Sequence, residues 1–435
     1  MVQFYKAKPV SKNSLPSMEG SVEGVDHQLN GIIRHHQRTF FVADTLPEER
    51  VIFKPQSGYH GKLVKRLSSH PLRIAPACRY YKQCGGCQAQ ILDASDQLAL
   101  KTPQIAQLIT QLSGFVDLPE PLLIQGQPWR YRRITRLSTW FDKKMGWKLG
   151  FRAAQGKQVV SINHCLVLTE SLDFLLQPLQ QLIQSFPKNA GVGHIELIDC
   201  LPRPVVNLRL TKNLSPKLEQ LCCDFAETYH VHFAVTGMDV QWLCGLGCYY
   251  EIDGLTLYFS PGDFIQVNSL MNQQLVDLAI KWLDLSEQDL VADLFCGVGN
   301  FTLPIAKQCQ SVVAVEGVLR MVEQLRANAK TNHLTNIEAF SGDLSDPETL
   351  AGRLNGIDKV LLDPARAGAK IAIELIAKLQ VKRVVYIACD PATMARDIAV
   401  LKEAGYRLKC WALIDMFSQT SHIETAVLLT SESQH

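Results

Sequence analysis

Between Val22 and Lys65 the apolar positions come in short pieces. Gly31-Ile32-Ile33, Thr39-Phe40-Phe41-Val42, Val51-Ile52-Phe53 and Leu63-Val64 are separated by turn-forming residues. Runs this brief, β-branched and aromatic, predict a small β-barrel of about 60 residues. Residues 93 to 116 shift to helical spacing, with a break expected at Pro103. From 129 to 260 strand-like runs (Ile134 to Trp140, Val159 to Ile162, Val205 to Leu210, Val231 to Val235, Leu255 to Phe259) surround one amphipathic helix near Leu172 to Phe186. That mixture predicts an α+β middle region. After Pro261 the rhythm becomes regular: strand candidates Leu290 to Phe295, Val312 to Glu316, Lys359 to Leu362, Val384 to Ala388 and Leu408 to Ile414 alternate with helical stretches, and a last apolar strand, Thr425 to Leu429, closes the chain. Such alternation predicts a parallel, doubly wound α/β sheet. Residues 1 to 12 are polar and expected to fray.

Composition narrows the class. The chain has 435 residues, 47% apolar and 20% charged, which is globular and excludes a disordered, collagenous or coiled-coil chain. No run approaches the ~20 apolar residues of a membrane span. Met1 to Val10 lacks the apolar core of a secretion signal, so a soluble, unexported, cytoplasmic protein is expected. The net charge of +2 hides an asymmetry: residues 1 to 165 hold 23 Lys and Arg against 11 Asp and Glu, and the remainder 21 against 31. A basic front suits a polyanion. Arg34, His35, His36, Arg38, Lys62, Lys65 and Arg66 lie among the barrel strands, and Trp129-Arg130-Tyr131-Arg132-Arg133 mixes guanidinium and aromatic groups. Arg130, Arg132 and Arg133 are therefore candidate RNA contacts, by phosphate pairing and by stacking on unpaired bases. Nine of the thirteen cysteines are scattered and read as reduced thiols, with disulfides not expected, and Cys222, Cys223, Cys244 and Cys248 among them as core.

Five segments carry chemistry. Val291-Ala292-Asp293-Leu294-Phe295-Cys296-Gly297-Val298-Gly299-Asn300 is an apolar strand entering a glycine turn before a helix, and Glu316 ends the next strand. Backbone amides at such a turn can approach a nucleotide, and the acid lies where a ribose carboxylate belongs. Thr302 fills the slot of the third dinucleotide glycine, which disfavours NAD; the turn instead resembles the S-adenosylmethionine site of Rossmann-type methyltransferases. Val384 to Ala388 places Cys389 at a strand's C-terminal edge, before an Asp390-Pro391 turn. It follows the turn Asp363-Pro364-Ala365-Arg366-Ala367-Gly368, and Asp415 to Glu424 sets a carboxylate before the last strand. Cys78-x5-Cys84-x2-Cys87, with Cys165 farther on, offers four thiolates, and spacing alone leaves zinc and a [4Fe–4S] cluster both open.

The Asp363 turn, the Cys389 strand end and Asp415 to Glu424, in that chain order, closely resemble the RNA uracil-C5 methyltransferases. The family pattern D-P-x-R-x-G, S-C-N-P, D-x-F-P-Q-T-x-H-x-E is met here with Ala388 for Ser, Asp390 for Asn and Ser418 for Pro. The resemblance implies Cys389 as nucleophile, Glu424 as base, and Gln266, Phe295, Asn300, Glu316, Asp343 and Asp363 as S-adenosylmethionine contacts, Asp363 reaching the cofactor or the target base. It also implies a [4Fe–4S] cluster on Cys78, Cys84, Cys87 and Cys165. A segment ahead of Cys78 resembles the TRAM barrel, with Leu46-Pro47-Glu48-Glu49 in place of L-P-G-E. The implied architecture is a TRAM-like, OB-like RNA-binding barrel (12–72), an α+β central domain with the cluster (73–262) and a Rossmann-type methyltransferase domain (263–435). The helical part near 93–125 is expected to pack on the last of these. Barrel and cluster together resemble the members acting on 23S ribosomal RNA, which implies a monomer forming 5-methyluridine there. The same chemistry on another ribosomal site or on transfer RNA, and a non-catalytic RNA-binding assembly factor, are the alternatives.

Overall fold

The computed structural model describes residues 16–56 and 58–431, so the expectation for residues 1 to 12 falls outside the described residues. Two compact units are distinguished. One is the chain up to Ala75 with Ile91–Gln104; the other is Pro76–Gln90 and the chain from Ile105 onward. No helix among the described residues is long and apolar enough to cross a membrane.

In the first unit Met18–Ser21, Gly24–Val25, Gly31–His35, Arg38–Val42, Arg50–Pro55 and His60–Arg66 form one six-stranded sheet. Met18–Ser21 pairs with Arg50–Pro55 while Gly24–Val25 pairs with Gly31–His35, so the sheet curls on itself around Val22, Ile33, Phe40, Val42, Val51 and Phe53. The Leu46-to-Glu49 turn keeps the backbone that the glycine of the family pattern suits. Glu48 sits at φ 64°, the left-handed region that glycine occupies without strain. The next residue, Glu49, is fully buried. Burial alone would raise its carboxyl, but hydrogen bonds from Arg73, Leu46 and His70 outweigh this and hold it below the usual range. Arg66, counted among the cations available to a polyanion, is partly committed to the same carboxylate.

The second unit contains two sheets that matter for function. Seven strands in the order Val159–Ser161, Gly146–Arg152, Ile134–Asp142, Val192–Ile198, Val205–Leu210, His232–Thr236, Val240–Cys244 carry helices Glu170–Gln184 and Pro216–Tyr229 on one face, over Leu137, Leu149, Leu197, Leu208 and Phe233. The second sheet has eight strands: Ile337–Ser341, Ser311–Glu316, Leu290–Leu294, Lys359–Leu362, Arg383–Ala388, Glu424–Ser431, Tyr406–Ile414, Leu122–Ile124. Its first five are parallel, and crossover helices such as Ser269–Leu283, Leu319–Thr331, Lys370–Leu379 and Pro391–Glu403 join or cover them. This is the expected Rossmann-type α/β sheet, with one correction. Glu424–Ser431 runs antiparallel, inserted between Arg383–Ala388 and Tyr406–Ile414. The link from Ile414 to Glu424 is shorter than the roughly dozen residues a parallel crossover needs, so the chain doubles back.

Two further expectations change. Helix Ala94–Ser113 runs on through Pro103 instead of breaking there. Cys223 and Cys244 form a disulfide between helix Pro216–Tyr229 and strand Val240–Cys244, with Cα atoms 5.8 Å apart, so two cysteines expected to be reduced are paired. Cys222 and Cys248 are buried core thiols, as expected.

Candidate active site

The C-terminal edge of the parallel strands opens into a cavity of about 850 Å³. At one side Leu290–Leu294 runs into the glycine turn, where Phe295, Gly297 and Gly299 all have positive φ (68°, 57° and 104°). A Cβ on Gly299 would stand 2.4 Å from Leu303 Cδ1, so a side chain there would push the turn off the following helix. Glu316 fastens the turn: its carboxylate accepts the Gly297 N–H at 3.2 Å and the Val318 N–H at 2.9 Å. Asp293 lies buried beneath, one oxygen accepting the Thr302 hydroxyl and the other without a partner. Burial pushes its pKa up to about 7. Thr302, which breaks the dinucleotide pattern, thus anchors the carboxylate below the turn.

Gln266, Phe295 and Glu316 line the cavity together with Phe264, Val318 and Met321. An apolar wall with one carboxylate and one amide suits an adenosine with its ribose. Gln266 Nε2 donates to Asp363 at 3.1 Å. Two expected cofactor residues are placed elsewhere. Asn300 exchanges hydrogen bonds with Asn272 and accepts the Tyr250 hydroxyl, without lining the cavity. Asp343 is exposed and turned onto the backbone and hydroxyl of Ser345, which hold its pKa below the usual range.

Across the cavity stand Asp363, Arg366, Cys389, His422 and Glu424. Cys389 follows strand Arg383–Ala388 directly, and Asp390 caps the next helix by accepting the Ala392 and Thr393 N–H groups. Aspartate serves as well as asparagine in that capping position, which explains the departure there. Ser418, standing for the family's proline, is fully buried, and its hydroxyl donates to Asp415. Burial pushes the Cys389 thiol up to about 11, and the Glu424 and Asp363 carboxylates add to this, while Arg366 opposes them by charge and hydrogen bond. Glu424 is only 3% exposed, not a surface acid at a strand start. Burial and the charge of Asp363 hold its pKa well above the carboxylate range, and burial likewise raises Asp363. Thiol and carboxyls crowd one apolar pocket, and Arg366 is the cation acting on the thiol.

The same cavity receives Cys78, Cys84, Cys87 and Cys165. All four are unpaired thiols. Burial and mutual proximity push Cys87 up to about 11 and Cys165 up to about 12, and Cys84 upward too. Four crowded thiols become stable thiolates only beside a strong positive charge, so the set suits a metal centre in donor chemistry, though not in its spacing here. Among the described residues no three His, Cys, Asp or Glu side chains meet closely enough to hold a single ion.

Of the three arginines singled out for RNA, only Arg132 lines the cavity. Arg130 pairs with Asp173 at 2.9 Å. Arg133 is 5% exposed, donates to the Gln266 carbonyl at 2.7 Å and stacks over Tyr250, so it supports the Gln266 segment from within the fold instead of facing an RNA. The residue sequence reasoning passed over is Arg366; its signal was present, three positions after Asp363 in the D-P-x-R-x-G turn.

Comparison with known proteins gives a consistent picture. The family model described as tRNA (Uracil-5-)-methyltransferase matches residues 253–432. A curated relative from Pectobacterium atrosepticum, named 23S rRNA (uracil(1939)-C(5))-methyltransferase RlmD, is 39% identical over all of this chain and 99% of its own. A protein of the same name from Shewanella baltica is also 39% identical, over 98% and 99%. The solved structure of Pyrococcus abyssi tRNA (uracil-54, C5)-methyltransferase with S-adenosyl-L-homocysteine superposes with a TM-score of 0.73 over 95% of this chain and 100% of that one. At 20% identity that likeness speaks for the fold.

Proposed function

We propose, from the premise that this chain belongs to the RNA uracil-C5 methyltransferase family, that it is an S-adenosylmethionine-dependent enzyme forming 5-methyluridine in 23S ribosomal RNA. The observation carrying this reading is the single cavity that holds Cys389, Glu424, Asp363 and the glycine turn with Glu316. Full-length relatives named for 23S rRNA support the substrate.

Carbon 5 of uracil is a poor nucleophile. Cys389, as thiolate, adds to carbon 6; the sulfur–carbon bond forms and the ring's electrons move to carbon 5 and oxygen 4. S-adenosylmethionine, bound against Glu316 and Gln266, would supply the methyl group to carbon 5. Addition moves the thiolate's charge into the ring, and methylation of carbon 5 neutralises it against the sulfonium, which would leave as S-adenosylhomocysteine, so no anion remains beside Glu424. The carboxylate then takes the proton from carbon 5, the carbon 6–sulfur bond breaks, and Cys389 leaves as thiolate. A buried carboxylate with a raised pKa is a stronger base than a solvated one, which is what removal of a carbon-bound proton needs. Arg366 favours the thiolate at the start and the end. The target base must leave its stack to enter this cavity.

Cys78, Cys84, Cys87 and Cys165 would hold a [4Fe–4S] cluster. The reaction balances without electron transfer, so the role we assign it is to brace the cavity wall and contact RNA. The curled N-terminal sheet reads as the TRAM-like RNA-binding barrel, and a cytoplasmic monomer suits an enzyme whose RNA supplies the large interface. The test is to incubate the purified protein with methyl-labelled S-adenosylmethionine and undermethylated 23S RNA and map the label. Label on a 23S uridine at carbon 5 is expected. Label on transfer RNA or on another ribosomal site would overturn the substrate, and no transfer would leave an assembly factor.

A further inference from the structure

The seven-stranded sheet of the second unit covers only one face with helices. On the other face, strand alternation brings up Arg136 and Trp140 from Ile134–Asp142, Lys148 opposite Trp140, His194 opposite Ser138, and Arg209 beside His194. Trp140 is 60% exposed, the Arg136 side chain 63%, and Arg209 is exposed. Two acids lie on this face: Asp142, at the strand's end, pairs with Lys148 at 3.9 Å, and Glu196 is buried beneath Arg136 at 3.9 Å, where Asn207 donates to it from the next strand. One guanidinium nitrogen of Arg209 donates to the Gly237 carbonyl, which fixes the group at the sheet's edge. The patch is cationic and carries an exposed indole. It is also continuous with the active-site cavity, since Thr135 and Arg136 line that cavity and Trp140 follows four residues along the same strand, roughly 13 Å away.

We infer that the exposed part of this sheet face is a platform for unpaired RNA flanking the target uridine, a base stacking on Trp140 while Arg136 and Arg209 take phosphates. The chemistry is that of single-strand recognition by sheets: an aromatic face accepts any base, and neighbouring cations track the backbone. Charge complementarity and continuity with the catalytic cavity commit the face to the substrate RNA. The cations that sequence reasoning placed at 130 to 133 are largely turned inward; the next arginine on the strand, Arg136, begins the outward-facing set. This inference rests on the RNA substrate proposed above.

The experiment uses the full chain with a single-stranded 23S-derived fragment around the methylated uridine. Binding is read by fluorescence anisotropy over a salt series and methyl transfer by label. Trp140→Ala is expected to weaken binding by at least about fivefold. Arg209→Ala should lower the magnitude of the salt slope by about 0.7. In both variants single-turnover methyl transfer at saturating RNA should stay within about twofold of wild type, because neither residue touches the reacting atoms. Lys217→Glu, on the helix side of the sheet, is the control, and melting curves must coincide for all variants. Unchanged affinity and salt slope in both variants, with wild type binding and methylating, would overturn the platform alone. Wild type that binds but transfers no methyl group would overturn the functional reading beneath it. Equal affinity for a fully paired fragment of the same length would overturn the stacking role of Trp140.

Discussion

Replacing Arg366 with alanine removes the cation acting on Cys389, and the structure sets the size of the effect. The wild-type thiol is pushed up to about 11, so at pH 8 about one site in a thousand is thiolate. At hydrogen-bonding distance a guanidinium would favour the thiolate by up to about 4 kcal/mol at an effective dielectric near 20. Arg366 stands exposed at the cavity mouth, so water screens most of that and about one pKa unit, near 1.4 kcal/mol, remains. Arg366→Ala should therefore reduce the thiolate population about tenfold. A more basic thiolate is also more nucleophilic, with a Brønsted coefficient near 0.45, so alkylation should slow by about fourfold net. The assay is the rate of iodoacetamide modification of Cys389 between pH 7 and 9.5, followed on the Cys389 peptide by mass spectrometry so that the other cysteines do not intrude. Both proteins should show rates rising about tenfold per pH unit, as parallel lines, with Arg366→Lys recovering most of the offset. Coincident lines for wild type and Arg366→Ala, or faster alkylation of the variant, would refute the assignment of Arg366 to thiolate stabilisation.

Two further outcomes follow from the burial of specific groups. Asp293 holds its proton up to about pH 7 in the fold but only to about 4 in the unfolded chain. Over that interval the native state binds the extra proton, so this group makes stability fall as pH rises from about 4 to about 7 and level off above. Asp293→Asn should flatten that part of the curve by a few kcal/mol, read from urea midpoints across pH, and an unchanged slope would show that Asp293 ionises freely. On the cluster proposed above, the purified protein should carry iron, sulfide and visible absorption, which Cys87→Ser should lose and Cys389→Ser keep; wild type free of iron would overturn the cluster itself. Iron content equal in the two variants would remove Cys87 from the cluster.

Much of the active site was legible because its parts are local. A strand, a glycine turn and the acid ending the next strand are read within 26 residues, and Cys389 and Glu424 stand at strand ends that apolar runs delimit. The parallel strands alternate with helices, which periodicity reports directly. What escaped depends on contacts between distant residues. The edge strand Leu122–Ile124 exists only through its pairing with Tyr406–Ile414. The direction of Glu424–Ser431 follows from the length of the connection before it. Arg133 looked like a surface cation until the Gln266 carbonyl and the Tyr250 ring closed over it. The Cys223–Cys244 pair joins a helix to a strand 21 residues on, with no local motif to announce it. Nothing in the spacing of Cys78, Cys84, Cys87 and Cys165 said that they would wall the same cavity as Cys389.

In the proposed reaction Cys389 attacks the uracil ring and Glu424 completes the turnover by removing the carbon 5 proton. Glu424→Gln, incubated with S-adenosylmethionine and the 23S-derived RNA and run on a denaturing gel, tests it most directly. A covalent protein–RNA band is expected to persist in Glu424→Gln, because elimination cannot proceed, and to vanish when Cys389→Ala is added. An adduct surviving in the double variant would contradict Cys389 as the nucleophile, and rapid, complete turnover by Glu424→Gln would contradict Glu424 as the base.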